Sequence, residues 1–105
     1  MIIMRRKISL KEIITILKQN ERWLKEEFGV KELGVFGSYV RNEQTKERDV
    51  DVLVRFWPHT EMNLIKFVEV EAYLSPLLGM KVDVVMKSAL KPRIGEQILK
   101  EVIYI

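Results

Sequence analysis

The stretch VFGSYVRNEQTKERDVDVLVRF holds the residue types most able to do chemistry. Asp49 and Asp51 stand one residue apart in an apolar run, and side chains two apart on a strand share a face. A third acid, Asp83, sits between valines in KVDVVM. If the strands carrying these residues pair, three carboxylates gather at one spot. Like charges that close repel, and each resists ionisation unless a cation lies among them. Hard divalent ions such as Mg²⁺ or Mn²⁺ take carboxylate oxygens together with water and substrate phosphates. A pair of such ions stabilises the attacking and leaving oxygens of a phosphoryl or nucleotidyl transfer. Asp49, Asp51 and Asp83 are therefore the expected metal ligands.

Gly37 and Ser38 supply the complement, with ten residues between Ser38 and Asp49. Glycine admits backbone angles closed to other residues and lets a ligand approach the main chain. Ser38 offers a hydroxyl and opens a short helix candidate, SYVRNEQ, whose first N–H groups would favour an anion. Arg41, one turn further on, could reach a triphosphate or pair with a carboxylate. A phosphate-binding turn would then face a metal-binding acid cluster across one connection.

The elements that must position these groups follow from periodicity. Ser9 with Glu12 forms a capping box, and Leu10, Ile13, Ile14, Leu17, Leu24 and Phe28 then recur at helical spacing up to a stop at Gly29. KELGVF is a strand candidate leading into Gly37. DVDVLVRF alternates, with Val50, Val52, Val54 and Phe56 on one face and Asp49, Asp51 and Leu53 on the other. Pro58 ends that strand. A second helix is expected from Thr60 to Leu78, carried by Leu64, Phe67, Val68, Glu71, Leu74 and Leu78, and closed by Gly79. KVDVVM is the third strand, with Asp83 on the face opposite its valines. A last amphipathic helix after Pro92 uses Ile94, Ile98, Leu99 and Val102, and VIYI ends as a short extended tail. A helix crossing between the second and third strands implies that those two run parallel. The expected fold is α/β of the α+β kind, a small mixed sheet flanked by helices.

Composition removes several function classes. The chain has 105 residues, fitting one domain over 1–105. Hydrophobic residues make up 48% and charged residues 31%, a globular balance. There is no cysteine, which excludes disulfides and thiolate metal sites and fits a cytoplasmic protein. No apolar run is long enough to span a bilayer, so no membrane role is expected. The net charge of +3 permits a polyanionic ligand, but the interleaved basic and aromatic pattern of nucleic-acid binders is missing, so direct nucleic-acid binding is disfavoured. Bland roles suit the remaining conspicuous residues. His59 reads as an exposed loop residue, Trp23 and Trp57 as partial core or partner surface. Met62, Met80 and Met86 read as packing residues, and MRRK as a solvated end.

Taken together, GSYVRNEQTKERDVDVLVRF and the distant Asp83 resemble the signature of the polymerase-β-like nucleotidyltransferase superfamily: Gly-Ser, ten residues, Asp-x-Asp, and a third acid on a later strand. From about Leu10 to Tyr104 the chain looks most like the minimal nucleotidyltransferases, the MntA-type antitoxins encoded beside HEPN-domain toxins. The resemblance implies that Gly37 and Ser38 hold nucleotide phosphates and that Asp49 and Asp51 bind two Mg²⁺ ions. It gives Asp83 the completion of one metal site and help in activating the attacking hydroxyl, and matches Arg41 to a family arginine. Two residues depart from the pattern. Asn42 stands where glycine is usual, and tolerates a left-handed backbone; Arg48 stands where serine or threonine is usual, bringing a cation near the metal site.

About 100 residues build a catalytic sheet but not a second substrate-binding domain, so a partner is expected to present the acceptor. By resemblance that partner is a HEPN-domain toxin, and the reaction is transfer of AMP from ATP to a toxin hydroxyl, a tyrosine. Two alternatives stand beside this reading: an antitoxin that masks its toxin by binding alone, and a small nucleic-acid-binding module.

Overall fold

The computed structural model describes residues 8–43, 49–58 and 64–105. Arg48, His59, Met62, the MRRK segment and the expected helix start at Thr60 lie outside them. The chain opens with helices α1, Leu10–Gln19, and α2, Glu21–Phe28, and then strand β1, Val30–Phe36. A single 3₁₀ turn, Gly37–Tyr39, leads toward β2, Val50–Phe56. Helix α3, Leu64–Leu78, crosses to β3, Val82–Met86, and α4, Pro92–Glu101, precedes β4, Ile103–Tyr104.

The strands form one mixed sheet in the order β3-β2-β1-β4. β1 is antiparallel to both β2 and β4, and β2 runs parallel to β3, as the crossover helix requires. One face of the sheet is fully apolar. Val35, Val50, Val52, Val54 and Val82 are buried there against Ile13 and Leu17 of α1, Leu24 of α2, and Val70 and Leu74 of α3. Each such aliphatic side chain contributes about 1.5–3 kcal/mol on burial, so this layer holds the sheet in place. Met80 and Met86 pack at its margin.

Local signals explain where the elements begin and end. The Glu12 N–H donates to Ser9 Oγ at 3.1 Å, and the Ser9 hydroxyl donates to Glu12 Oε1 at 3.2 Å. Replacing Ser9 with Ala should cost about 1 kcal/mol and lower the melting temperature by roughly 4–8 °C, read by thermal denaturation. Gly29 closes α2 at φ 71°.

Three features differ from the sequence reading. The first helix is two helices, broken at Asn20. The Asn20 side-chain amide donates to the Ile16 carbonyl at 2.8 Å and its oxygen accepts from the Tyr73 hydroxyl at 2.8 Å, so Asn20 ties the break to α3. In α3 the buried face is Val70, Leu74 and Leu78, while Leu64 and Val68 are exposed. The helix is apolar on more than one face, so periodicity placed Leu74, Leu78 and the partly buried Phe67 correctly but took Leu64 and Val68 in place of Val70. In α4, Ile94 and Leu99 are likewise exposed. Among the described residues, no helix is long and apolar enough to cross a membrane.

Candidate functional site

The Gly-Ser turn is built by backbone bonds that fold the chain back on itself. The Val40 and Arg41 N–H groups both donate to the Gly37 carbonyl at 3.1 Å, and the Glu43 N–H donates to the Ser38 carbonyl at 2.8 Å. The expected helix SYVRNEQ is only this one tight turn, because the left-handed Asn42, at φ 56°, ends it. Asn42 thus does what glycine does in the related signature. Ser38 and Tyr39 are buried, each 2% exposed. The Tyr39 hydroxyl donates to Met80 Sδ at 3.3 Å, which pins the turn to the core, and burial pushes the Tyr39 phenol above its usual pKa.

Gly37 has φ +82°, and a Cβ there would overlap the Asp51 carboxylate. The turn backbone is therefore packed directly on that acid, a separation only glycine allows. Asp51 lies on β2 beside Phe36 of β1 and in register with Asp83 of β3, so both acids share the sheet face opposite the valine core. Ser75 helps set that register. Its hydroxyl donates to the Glu71 carbonyl at 3.0 Å and accepts from the Val82 N–H at 3.3 Å, joining the end of α3 to the start of β3.

Asp49 lies one pleat earlier on the same face, just outside β2, and its carboxylate is 3.8 Å from the Lys81 ammonium. Among the described residues no three acidic or histidine side chains stand together as a ready metal cage. The structure pairs Asp51 with Asp83 and turns Asp49 to Lys81, whose cation offsets one of three like charges. An oxygen-only donor set of this kind fits a hard divalent ion.

Arg41 is held by two acids. Its Nε donates to Glu43 Oε2 at 2.7 Å, and one terminal nitrogen donates to Glu101 Oε1 at 2.9 Å and Oε2 at 3.0 Å. Glu43 and then Glu101 hold the guanidinium above its usual pKa. Glu101 Oε2 also accepts from the Gly37 N–H at 2.5 Å. No sequence spacing points to Glu101, because it closes α4, 64 positions beyond Gly37. Its only trace is an acid at a helix C-terminus, where cations are favoured.

These groups border an open groove of about 580 Å³. Gly37, Arg41, Asp51 and Glu101 line its polar end; Val85, Leu90, Ile94 and Ile98 line its apolar wall, with Gln97 beside them. Ser38, Asp49 and Asp83 do not line this groove. It lies between α4 and the sheet face that carries Asp51.

Residues 10–105 match the family model of the nucleotidyltransferase domain. The chain is 50% identical over 98 residues to the protein adenylyltransferase MntA of Thermococcus cleftensis, covering 93% of this chain and 97% of that one. It superposes with TM-score 0.73 and 30% identity on a solved candidate minimal nucleotidyltransferase, covering 94% and 98% of the two chains. A toxin–antitoxin protein solved with AMP-PNP shares the fold at TM-score 0.57 and 19% identity, over 90% of this chain and 69% of that one. The glycine turn packed on Asp51, the register of Asp51 with Asp83, and these matches agree: the chain belongs to the nucleotidyltransferase domain family, as one of its minimal nucleotidyltransferases.

Proposed function

We propose that this protein is an antitoxin that transfers AMP from ATP to a hydroxyl, most simply a tyrosine, of a HEPN-domain toxin. The observation that carries the chemistry is the contact of the Gly37 backbone with Asp51, in register with Asp83. It sets a phosphate-accepting turn against acids able to hold metal-bound phosphates. The 50% identity to a protein adenylyltransferase supports a protein acceptor.

In this reading the Gly37–Ser38 turn and Arg41 hold the triphosphate. Asp49, Asp51 and Asp83 would hold Mg²⁺ or Mn²⁺, which supplies charge neutralisation at the phosphates. The acceptor oxygen attacks the α-phosphorus, its bond to the β-phosphate oxygen breaks, and pyrophosphate leaves. Asp83, exposed at the edge of the site, takes the hydroxyl proton as the oxygen becomes a nucleophile. The attached nucleotide would add negative charge and bulk to the toxin surface, which would obstruct an active site at that position.

The test is incubation of the chain with Mg²⁺, labelled ATP and the toxin encoded beside it. Label is expected on the toxin, and to vanish when Asp49→Ala or Asp51→Ala is used. Neutralisation that persists in both variants, with no label transferred, supports masking by contact and overturns this reading.

A further inference from the structure

The Glu101 carboxylate occupies the anion seat of the Gly37–Arg41 turn. Its Oε2 accepts from the Gly37 N–H, and both its oxygens accept from the Arg41 guanidinium. A backbone N–H beside a guanidinium is the donor set that a phosphate oxygen takes. The side chain is only 15% exposed, so the contact is a seated one rather than a loose surface pair. Glu101 also stands in the last turn of α4, where the helix dipole disfavours a negative charge. What holds it there is the turn, not its own helix.

The charges around this seat do not favour a second anion. Arg41 carries one positive charge and is engaged by two carboxylates, Glu43 on its Nε and Glu101 on its terminal nitrogen. Asp51 adds a third carboxylate against Gly37. Lys91 lines the same groove, so among the described residues a bare polyphosphate arriving at the turn meets the carboxylates of Glu43, Asp51 and Glu101 against the cations Arg41 and Lys91, and an occupied N–H. While Glu101 is seated, the Gly37 N–H and the terminal nitrogen of Arg41 that it engages are not open to a second anion.

We propose that Glu101 is a built-in phosphate mimic, an autoinhibitory contact that closes the nucleotide seat until a metal-neutralised polyphosphate displaces it. The proposal rests on the nucleotidyltransferase reading and adds regulation of the same site. When the phosphate enters, the Glu101–Gly37 and Glu101–Arg41 bonds break and Arg41 turns to the phosphate. The end of α4 is thereby released from the turn. Metal dependence of binding then arises partly from the protein's own carboxylate, not only from the charge of the nucleotide.

The experiment compares wild type with Glu101→Gln and Glu101→Ala by calorimetry, using inorganic tripolyphosphate and ATP, each with Mg²⁺ and with EDTA. Thermal melts check that the variants fold. Both variants are expected to bind tripolyphosphate roughly tenfold more tightly than wild type, with the larger gain in EDTA, because one charged competitor has gone. Equal or weaker binding in both variants overturns the proposal and assigns Glu101 to holding Arg41 in place. A measurement on the unaltered chain guards against misfolded variants. The Gly37 amide resonance should move when Mg²⁺–ATP is added, and a structure of that complex should show Glu101 detached from Arg41. An intact Glu101–Arg41 pair in the nucleotide complex sinks the idea. Wild type that binds Mg²⁺–ATP while neither variant gains affinity removes autoinhibition alone. Failure of all three chains to bind Mg²⁺–ATP removes the nucleotidyltransferase reading with it.

Discussion

Asp51→Asn should abolish nucleotidyl transfer while leaving the protein as stable as before. The substitution keeps the shape of the side chain, so Gly37 still packs against it and the β2–β3 register is undisturbed. It removes one of two negative charges in register on neighbouring strands, which relieves repulsion with Asp83 in the metal-free protein. With the side-chain shape kept, the melting temperature in EDTA should change little. What is lost is the negative charge of the proposed metal ligand that packs on the Gly37 turn. Removing a group that stabilises developing charge costs roughly 10²–10³ in rate, and a metal ligand should sit at the upper end. Mg²⁺ with ATP is expected to stabilise the wild type by mass action and to leave the variant's melting curve unchanged. Label transfer and melting curves, run on one preparation, read both effects. A variant that transfers at near wild-type rate would show that Asp51 is a structural acid.

Gly37→Ala should damage fold and site together. Two costs combine at this position. The backbone sits at φ +82°, where an L side chain is strained, and the new methyl group would overlap the Asp51 carboxylate. Strain of this kind with a forced shift of packed groups costs about 2–4 kcal/mol. For a domain of this size that is a fall in melting temperature of roughly 10–20 °C. The same movement pushes Asp51 away from the turn, so transfer should fall even at temperatures where the variant is folded. Full activity in a well-folded Gly37→Ala protein would mean that the close approach of turn and acid is not used. The two variants are complementary, since one removes charge without moving atoms and the other moves atoms without removing charge.

Much of this site is legible in the chain because its signals are local. The alternation in DVDVLVRF placed Asp51 opposite the valine face, and the crossover between it and KVDVVM implied the parallel pairing that sets Asp83 beside it. Asn42 was expected to stand in for glycine because its side chain tolerates a positive φ, and it does so at 56°. The capping box at Ser9 and Glu12 marks the start of α1 from four residues. The features that escaped are those fixed by distant partners. Asn20 breaks a helix whose apolar spacing runs on, because Tyr73 of α3 holds its side chain. The exposed Leu64 and Val68 have the same spacing as a buried stripe, and only the packing of Val70 and Leu74 decides between them. Asp49 meets Lys81 through strand pairing, and Glu101 meets the turn through α4. No local pattern encodes either.

The parallel arrangement of β2 and β3 also governs when the site comes into being. The β1–β2 pair joins neighbouring segments of chain, and it brings Gly37 and Asp51 together early. Asp83 reaches its place only after α3 has crossed over the sheet and β3 has docked, a longer loop closure that is slower to form. A chain still emerging from the ribosome therefore holds the cradle but not the second acid. Transfer then becomes possible only once β3 has been made and docked beside β2.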